Sequence, residues 1–191
     1  MSSSEALLES RQIEYNRILA DPLFGSHLDD LYNKIKTVYR RGGKILLCGN
    51  GGSAADCQHI AGEFVGRLKL DRPAWPAVSL VSDISVLTCL GNDFSYGHIF
   101  KRQIEALGHP SDLLIALSTS GNSENICVAL QSAHSKKIET YTITNQSGGR
   151  ASLISDLIFN IPSEDTQIVQ ELTIMIFHII CEMLERDIVN E

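Results

Sequence analysis

The stretch DLLIALSTSGNSENICVAL, residues 112–130, decides the fold. Its LLIAL run is apolar without alternation, the pattern of a strand buried on both faces. STSGNS follows, small and polar around one glycine, and ENICVALQSAHSKK then takes up a helical period. Buried strand, polar turn and helix, in that order, form half of a βαβ unit and predict a parallel sheet.

The same order recurs on either side of that stretch. KILLCG (44–49) reads as a strand and SAADCQHIAGEFVGRL (53–68) as a helix. AVSLV (77–81) is a strand, followed by a short helix near SDISVLTCLG and a helix over YGHIFKRQIEALG (96–108). After the helix at 123–137 come a strand at TYTITN (140–145), a short helix at GRASLISD and a strand at LIFNIP (157–162). The final helix runs from near Asp165 to about Arg186. Upstream, residues 5–20 and 26–41 read as helices. In the second, Leu28, Leu31, Ile35 and Val38 share a face, and Gly42-Gly43 closes it. The expectation is one α/β domain over 1–191: a three-layer, doubly wound parallel sheet of about five strands with helices at its N-terminus.

Bulk properties narrow the partners. A formal net charge of -7 with no long Lys/Arg run argues against nucleic-acid backbone binding, which cationic side chains carry. No segment is expected to reach the apolar length of a membrane span, and MSSSEALLES lacks the apolar core of a signal peptide. Cys48, Cys57, Cys89, Cys127 and Cys181 are odd in number, widely spaced and without a CxxC. They read as reduced thiols of a cytoplasmic protein.

In open α/β sheets ligands bind beyond the carboxyl ends of the strands. Two loops rich in small polar residues belong there. In CGNGGSAAD (48–56), Gly49, Gly51 and Gly52 permit a tight turn that aims backbone N–H groups at a ligand, and Ser53 can cap the helix. The spacing is neither the dinucleotide fingerprint nor the nucleotide P-loop, so an ordinary turn with an N-cap stays open as the alternative. In the second loop Ser118, Thr119, Ser120 and Ser123 offer more hydroxyls than a cap needs. Hydroxyls and amides at a helix N-terminus suit a phosphate on a small molecule, with no lysine required.

Ionisable groups follow these loops. His59 and Glu63 are four apart and share a helix face, where they can form a surface salt link, an acid–base pair or half of a metal site. Gln170 and His178 interrupt an otherwise apolar last helix. Eight residues separate them, roughly 12 Å along the axis and about 80° in rotation. Long side chains must converge to share an ion, or else the two come from different copies of the chain at a subunit interface. Asn92 and Asp93 suit sugar hydroxyls and Arg67 an anionic charge, though each also reads as a turn residue or a surface charge.

Together GGKILLCGNGGSAADCQHIAGEFVGR, DRPAWPAVSL, CLGNDFSYGHIFKRQIEALG, DLLIALSTSGNS and QELTIMIFH resemble the SIS (sugar isomerase) domain, and within it the bacterial phosphoheptose isomerases. The resemblance implies a homotetramer, with the helices of residues 1–42 packing in the assembly and sites at subunit interfaces. It implies an aldose–ketose isomerase that converts sedoheptulose 7-phosphate to D-glycero-D-manno-heptose 7-phosphate, the first step toward ADP-heptose and lipopolysaccharide core. By match of motif, Ser118, Thr119, Ser120 and Ser123 take the phosphate. Asn50, Gly51, Gly52, Ser53, Asn92, Asp93, Glu63 and Gln170 contact substrate. His59, Glu63, Gln170 and His178 hold one zinc ion per subunit, and Glu63 and His178 form the acid–base pair. Gln167 departs from the pattern, which bears on substrate detail. Two other readings share the fold: a binding protein of the replication-initiator-associating type, whose members lack the carboxylate at 63 and the imidazole at 178, and an isomerase of another sugar phosphate.

Overall fold

The computed structural model describes the backbone of residues 2–190 and the side chains of residues 2–188, so Met1 and Glu191 of the expected 1–191 domain lie outside the described residues. Helix α1 (Ser3–Leu19) starts in a capping box, Ser2 accepting the Glu5 N–H while the Glu5 carboxylate accepts from Ser2. Helix α2 (Pro22–Arg40) begins earlier than the sequence pattern indicates. Asp21 caps it through the Leu23 N–H (2.9 Å), and Pro22 occupies the first turn, where its missing N–H costs nothing. The apolar face of α2 is buried as expected, with Leu31, Ile35 and Val38 at 0 % exposure.

The α/β part follows as β1 (Ile45–Gly49), α3 (Gly52–Val65), β2 (Ala77–Ser79), α4 (Ile84–Asp93), α5 (Lys101–Leu107), β3 (Leu113–Leu117), α6 (Glu124–Ser135), β4 (Glu139–Thr144), β5 (Leu157–Asn160) and α7 (Thr166–Asn190). Five strands form one parallel sheet in the order β2-β1-β3-β4-β5. The central strands β1 and β3 are buried at every residue, which is why their sequences do not alternate. Helices α2, α3 and α7 pack together on one face, while α5 and α6 pack together against the other. This is the expected three-layer, doubly wound fold.

Three expectations need correction. The helix over 96–108 is broken into a 3₁₀ turn (Tyr96–His98) and α5. Extended Ser95 leads in, its hydroxyl bonds His98 Nδ1 (2.7 Å), and Gly97 weakens the turn. The short helix in 149–156 is a single 3₁₀ turn (Arg150–Leu153), entered through Gly148 and Gly149 at φ 74° and 56°. A membrane-length segment does exist by composition: residues 166–188 of α7 have a mean hydropathy of 1.4. Half of that window is buried within the fold, with Leu172, Ile176, Phe177, Ile180 and Cys181 in the core, so α7 serves here as a core helix.

Candidate active site

The strand order reverses between β1 and β3, and both strands end in one of the polar loops. This is where doubly wound sheets bind ligands. The helices that start there differ from the other capped helices. Ser2, Asp21 and Asp83 cap α1, α2 and α4 with side chains. Neither Gly51 before α3 nor Ser123 before α6 makes a side-chain cap. The third N–H of each turns back to the cap carbonyl, Ala54 to Gly51 and Ile126 to Ser123 (3.1 Å each), and the first two stay free for a ligand, with the positive ends of two helix dipoles behind them. The sequence assigned the first cap to Ser53. The structure instead puts Gly51 at the cap with φ 57°, a conformation glycine adopts without strain, and buries Ser53 in the first turn.

In the second loop the hydroxyls of Ser118, Thr119 and Ser123 bond no group among the described residues. Ser120 Oγ accepts only the Asn122 N–H (3.2 Å). Gly121 (φ 65°) packs against the carbonyl of Gly148, so the 145–150 loop backs this one. Asn50 and Asn125 exchange reciprocal amide hydrogen bonds (2.8 Å each), and Tyr96 donates to Asn50 Oδ1 (2.9 Å). Neither Asn125 nor Tyr96 stands out in the sequence as a site residue. Asn125, in the first turn of α6, is 2 % exposed, and its pairing with a loop 75 residues away has no local signal. A cavity of about 620 Å³ opens beside Asn50 and Gly51, bounded by Gln58, Thr88 and Tyr96. Asn92 and Asp93 do not line it; they stand exposed at the end of α4. There the Asn92 amide (2.8 Å) and then the Cys89 thiol hold the Asp93 carboxyl below its ordinary value. Arg67 is exposed and pairs with no described carboxylate.

Helices α3 and α7 run in the same direction and meet along their length. Gly52 touches the Gln170 amide, and a Cβ at 52 would run into it. Two turns on, His59 Nε2 lies 2.9 Å from His178 Nε2 and 3.4 Å from Glu63 Oε1. One donor atom each from His59, Glu63 and His178 falls within 4.8 Å of the others. Two imidazoles and a carboxylate are a zinc-type donor set, and the ring-to-ring contact requires one nitrogen to donate and the other to accept. All three groups come from one chain, so their geometry does not call for a second copy. Gln170 stands back along α7, at the level of Gly52. One turn before His59, Asp56 is half-buried with Oδ2 unpartnered; burial pushes its carboxyl up to about 6, against the pull of His59.

The chain is similar to known proteins over nearly its whole length. The SIS domain family matches residues 25–145. A phosphoheptose isomerase of Clostridium acetobutylicum is 46% identical over 187 residues, covering 98% of this chain and 95% of that one. The solved phosphoheptose isomerase of Neisseria gonorrhoeae is 32% identical with a TM-score of 0.88, covering 96% of this chain and 97% of that one. That of Francisella tularensis is 29% identical with a TM-score of 0.90, covering 97% and 100%. By sequence over its whole length and by fold, the chain belongs to the phosphoheptose isomerases of the SIS-domain family.

Proposed function

We infer that the chain interconverts sedoheptulose 7-phosphate and D-glycero-D-manno-heptose 7-phosphate. One observation carries the mechanism: Glu63 and His178, 115 residues apart, meet at one point with His59. The phosphate takes the free amides at the starts of α3 and α6 and the hydroxyls of Ser118, Thr119, Ser120 and Ser123. Asn50, held by Asn125 and Tyr96, presents its amide to the sugar with Gly51, Gly52 and Ser53. Asn92 and Asp93, on the rim, reach hydroxyls from outside the cavity.

Glu63 takes a proton from C1 of the ketose, and the C1–H electron pair becomes the C1=C2 bond of an enediol. His178 gives a proton to the C2 oxygen and takes one from the C1 oxygen as the carbonyl moves to C1. Glu63, whose carboxyl proton exchanges with solvent, then gives a proton to C2. The sum of protons is unchanged, as an isomerisation requires. His59, Glu63 and His178 fit a bound zinc ion, which would polarise the carbonyl oxygen. Packing on Gly52 supports Gln170 as a sugar contact more than as a fourth ligand. Exposed Leu7, Leu8 and Ile13 on α1 support the packing of this helix in a homo-oligomer.

The test is incubation with sedoheptulose 7-phosphate in D₂O, with aldose formation and deuterium at C2 read by NMR. Glu63→Gln and His178→Ala should each lose about 10²–10⁴-fold in kcat while keeping the wild-type assembly. Full activity in either variant removes that residue from the mechanism.

A further inference from the structure

Arg72 and Glu185 form an ion pair with each side chain 1 % exposed, and neither belongs to the site above. Glu185 lies on α7 two turns beyond His178. Its Oε1 accepts the Leu68 N–H (2.9 Å), and its Oε2 accepts those of Lys69 (2.9 Å) and Leu70 (3.0 Å). Burial alone would raise this carboxyl; the three amides and then Arg72 outweigh it and hold the group below its ordinary value. The anion therefore ties the loop after α3 to α7.

Arg72, in that loop, turns back on α3. Its guanidinium donates to the backbone carbonyls of Glu63 (2.7 Å), Phe64 (2.8 Å) and Pro73 (3.1 Å). Its Nε stands 3.4 Å from Glu185 Oε1, an ion pair without a hydrogen bond. Its plane lies 3.5 Å over the Trp75 ring, which stacks in turn on Tyr39 of α2. The last carbonyls of a helix lack partners within it, and α3 carries no basic residue in its last turn. A planar cation from the loop supplies both the donors and the charge that this end favours.

We propose that Arg72 and Glu185 are positioning residues, a latch that fixes the turn of α3 bearing Glu63 against the part of α7 bearing His178. The proposal rests on Glu63 and His178 as the proton-moving pair. Glu63 is gripped at its own carbonyl, and His178 is two turns from the other end of the same latch. Misplacement by about 1 Å from a change far from the chemistry costs up to about 10²-fold in rate. The phosphate seat, at the opposite end of α3, is not touched.

The test uses Arg72→Lys, which keeps the charge and loses the fork, and Glu185→Gln, which keeps the shape and loses the charge. The readouts are kcat and KM for sedoheptulose 7-phosphate, the melting temperature, and the ring ¹⁵N signals of His59 and His178. We expect kcat to fall about ten- to a hundredfold with KM within about twofold. The ring signals should shift well below the melting temperature. A folded variant with wild-type kcat overturns the proposal, as does a fall in activity with unmoved ring signals. Failure of both variants to fold overturns it too, because the pair is then a stability element. A wild-type protein without isomerase activity sinks the functional reading instead; the ring signals of the variants then decide on the latch.

Discussion

Gly121→Ala isolates the phosphate seat from the proton chemistry. Residue 121 has φ 65°, where an L side chain costs roughly 1–2 kcal/mol. The added Cβ would also stand 2.6 Å from the Gly148 carbonyl carbon, and must retreat to at least 3.4 Å for ordinary contact. Both sides of that contact are backbone, since the 145–150 loop packs directly on this turn, so no side-chain rotation relieves it. The turn must shift, and with it the hydroxyls of Ser120 and Ser123. Losing one hydrogen bond to a charged phosphate costs about 1.5–3 kcal/mol. A net loss of about 2 kcal/mol corresponds to a rise of roughly thirtyfold in KM for sedoheptulose 7-phosphate. Inorganic phosphate should weaken as an inhibitor in parallel, while kcat at saturation stays within about threefold. The same strain should lower the melting temperature by about 4–8 °C. A variant that melts lower yet keeps the wild-type KM and phosphate inhibition refutes the assignment of this turn to the phosphate.

The raised carboxyl of Asp56 is a cost to the folded state that is full above its folded value of about 6 and absent below the ordinary 3.8. Asp56→Asn should therefore raise the melting temperature at pH 7.5 and leave it unchanged at pH 3.5; a gain that is the same at both pH values refutes this. Zinc added to chelator-treated protein should raise the melting temperature, and His59→Ala should abolish that rise, as differential scanning fluorimetry would show. Equal stabilisation of wild type and His59→Ala moves the metal elsewhere. A five-carbon ketose phosphate should inhibit through the phosphate seat but turn over at least about tenfold more slowly than the seven-carbon substrate; comparable turnover refutes a fixed spacing between seat and cluster.

The layers and strand positions were legible because buried parallel strands write themselves as continuous apolar runs, as LLIAL does at 113–117. The start of α2 was misplaced because Asp21-Pro22 signals a helix by cap chemistry, not by hydrophobic period. His59 with Glu63 could be read from spacing alone. Their meeting with His178 could not, because it depends on α3 and α7 running the same way in register. The apparent conflict between Gln170 and His178 resolves on that register: each faces α3, but two turns apart, one at Gly52 and one at His59. Arg72 and Asp56 read only as parts of motifs, since burial of a charged group on or beside an amphipathic helix has no sequence mark.

The spacing along α3 bears on the substrate itself. The proposed anion seat includes the first turn of α3, and the His59 level comes seven residues later, roughly 10 Å along the helix. A molecule held at both places is a chain with a phosphate at one end and a carbonyl at the other. Groups that bond hydroxyls, Asn50 and Gln170, stand at the seat's end of α3, beside glycines at 51 and 52 that let the backbone approach. On these roles a short sugar phosphate gripped at the seat would leave its carbonyl short of Glu63, whereas a heptose carrying its phosphate on C7 puts C1 and C2 as far from the anion as the chain allows. On the proposed roles, the amides that open α3 and the base Glu63 share one helix, so α3 would set the length of the sugar that reacts.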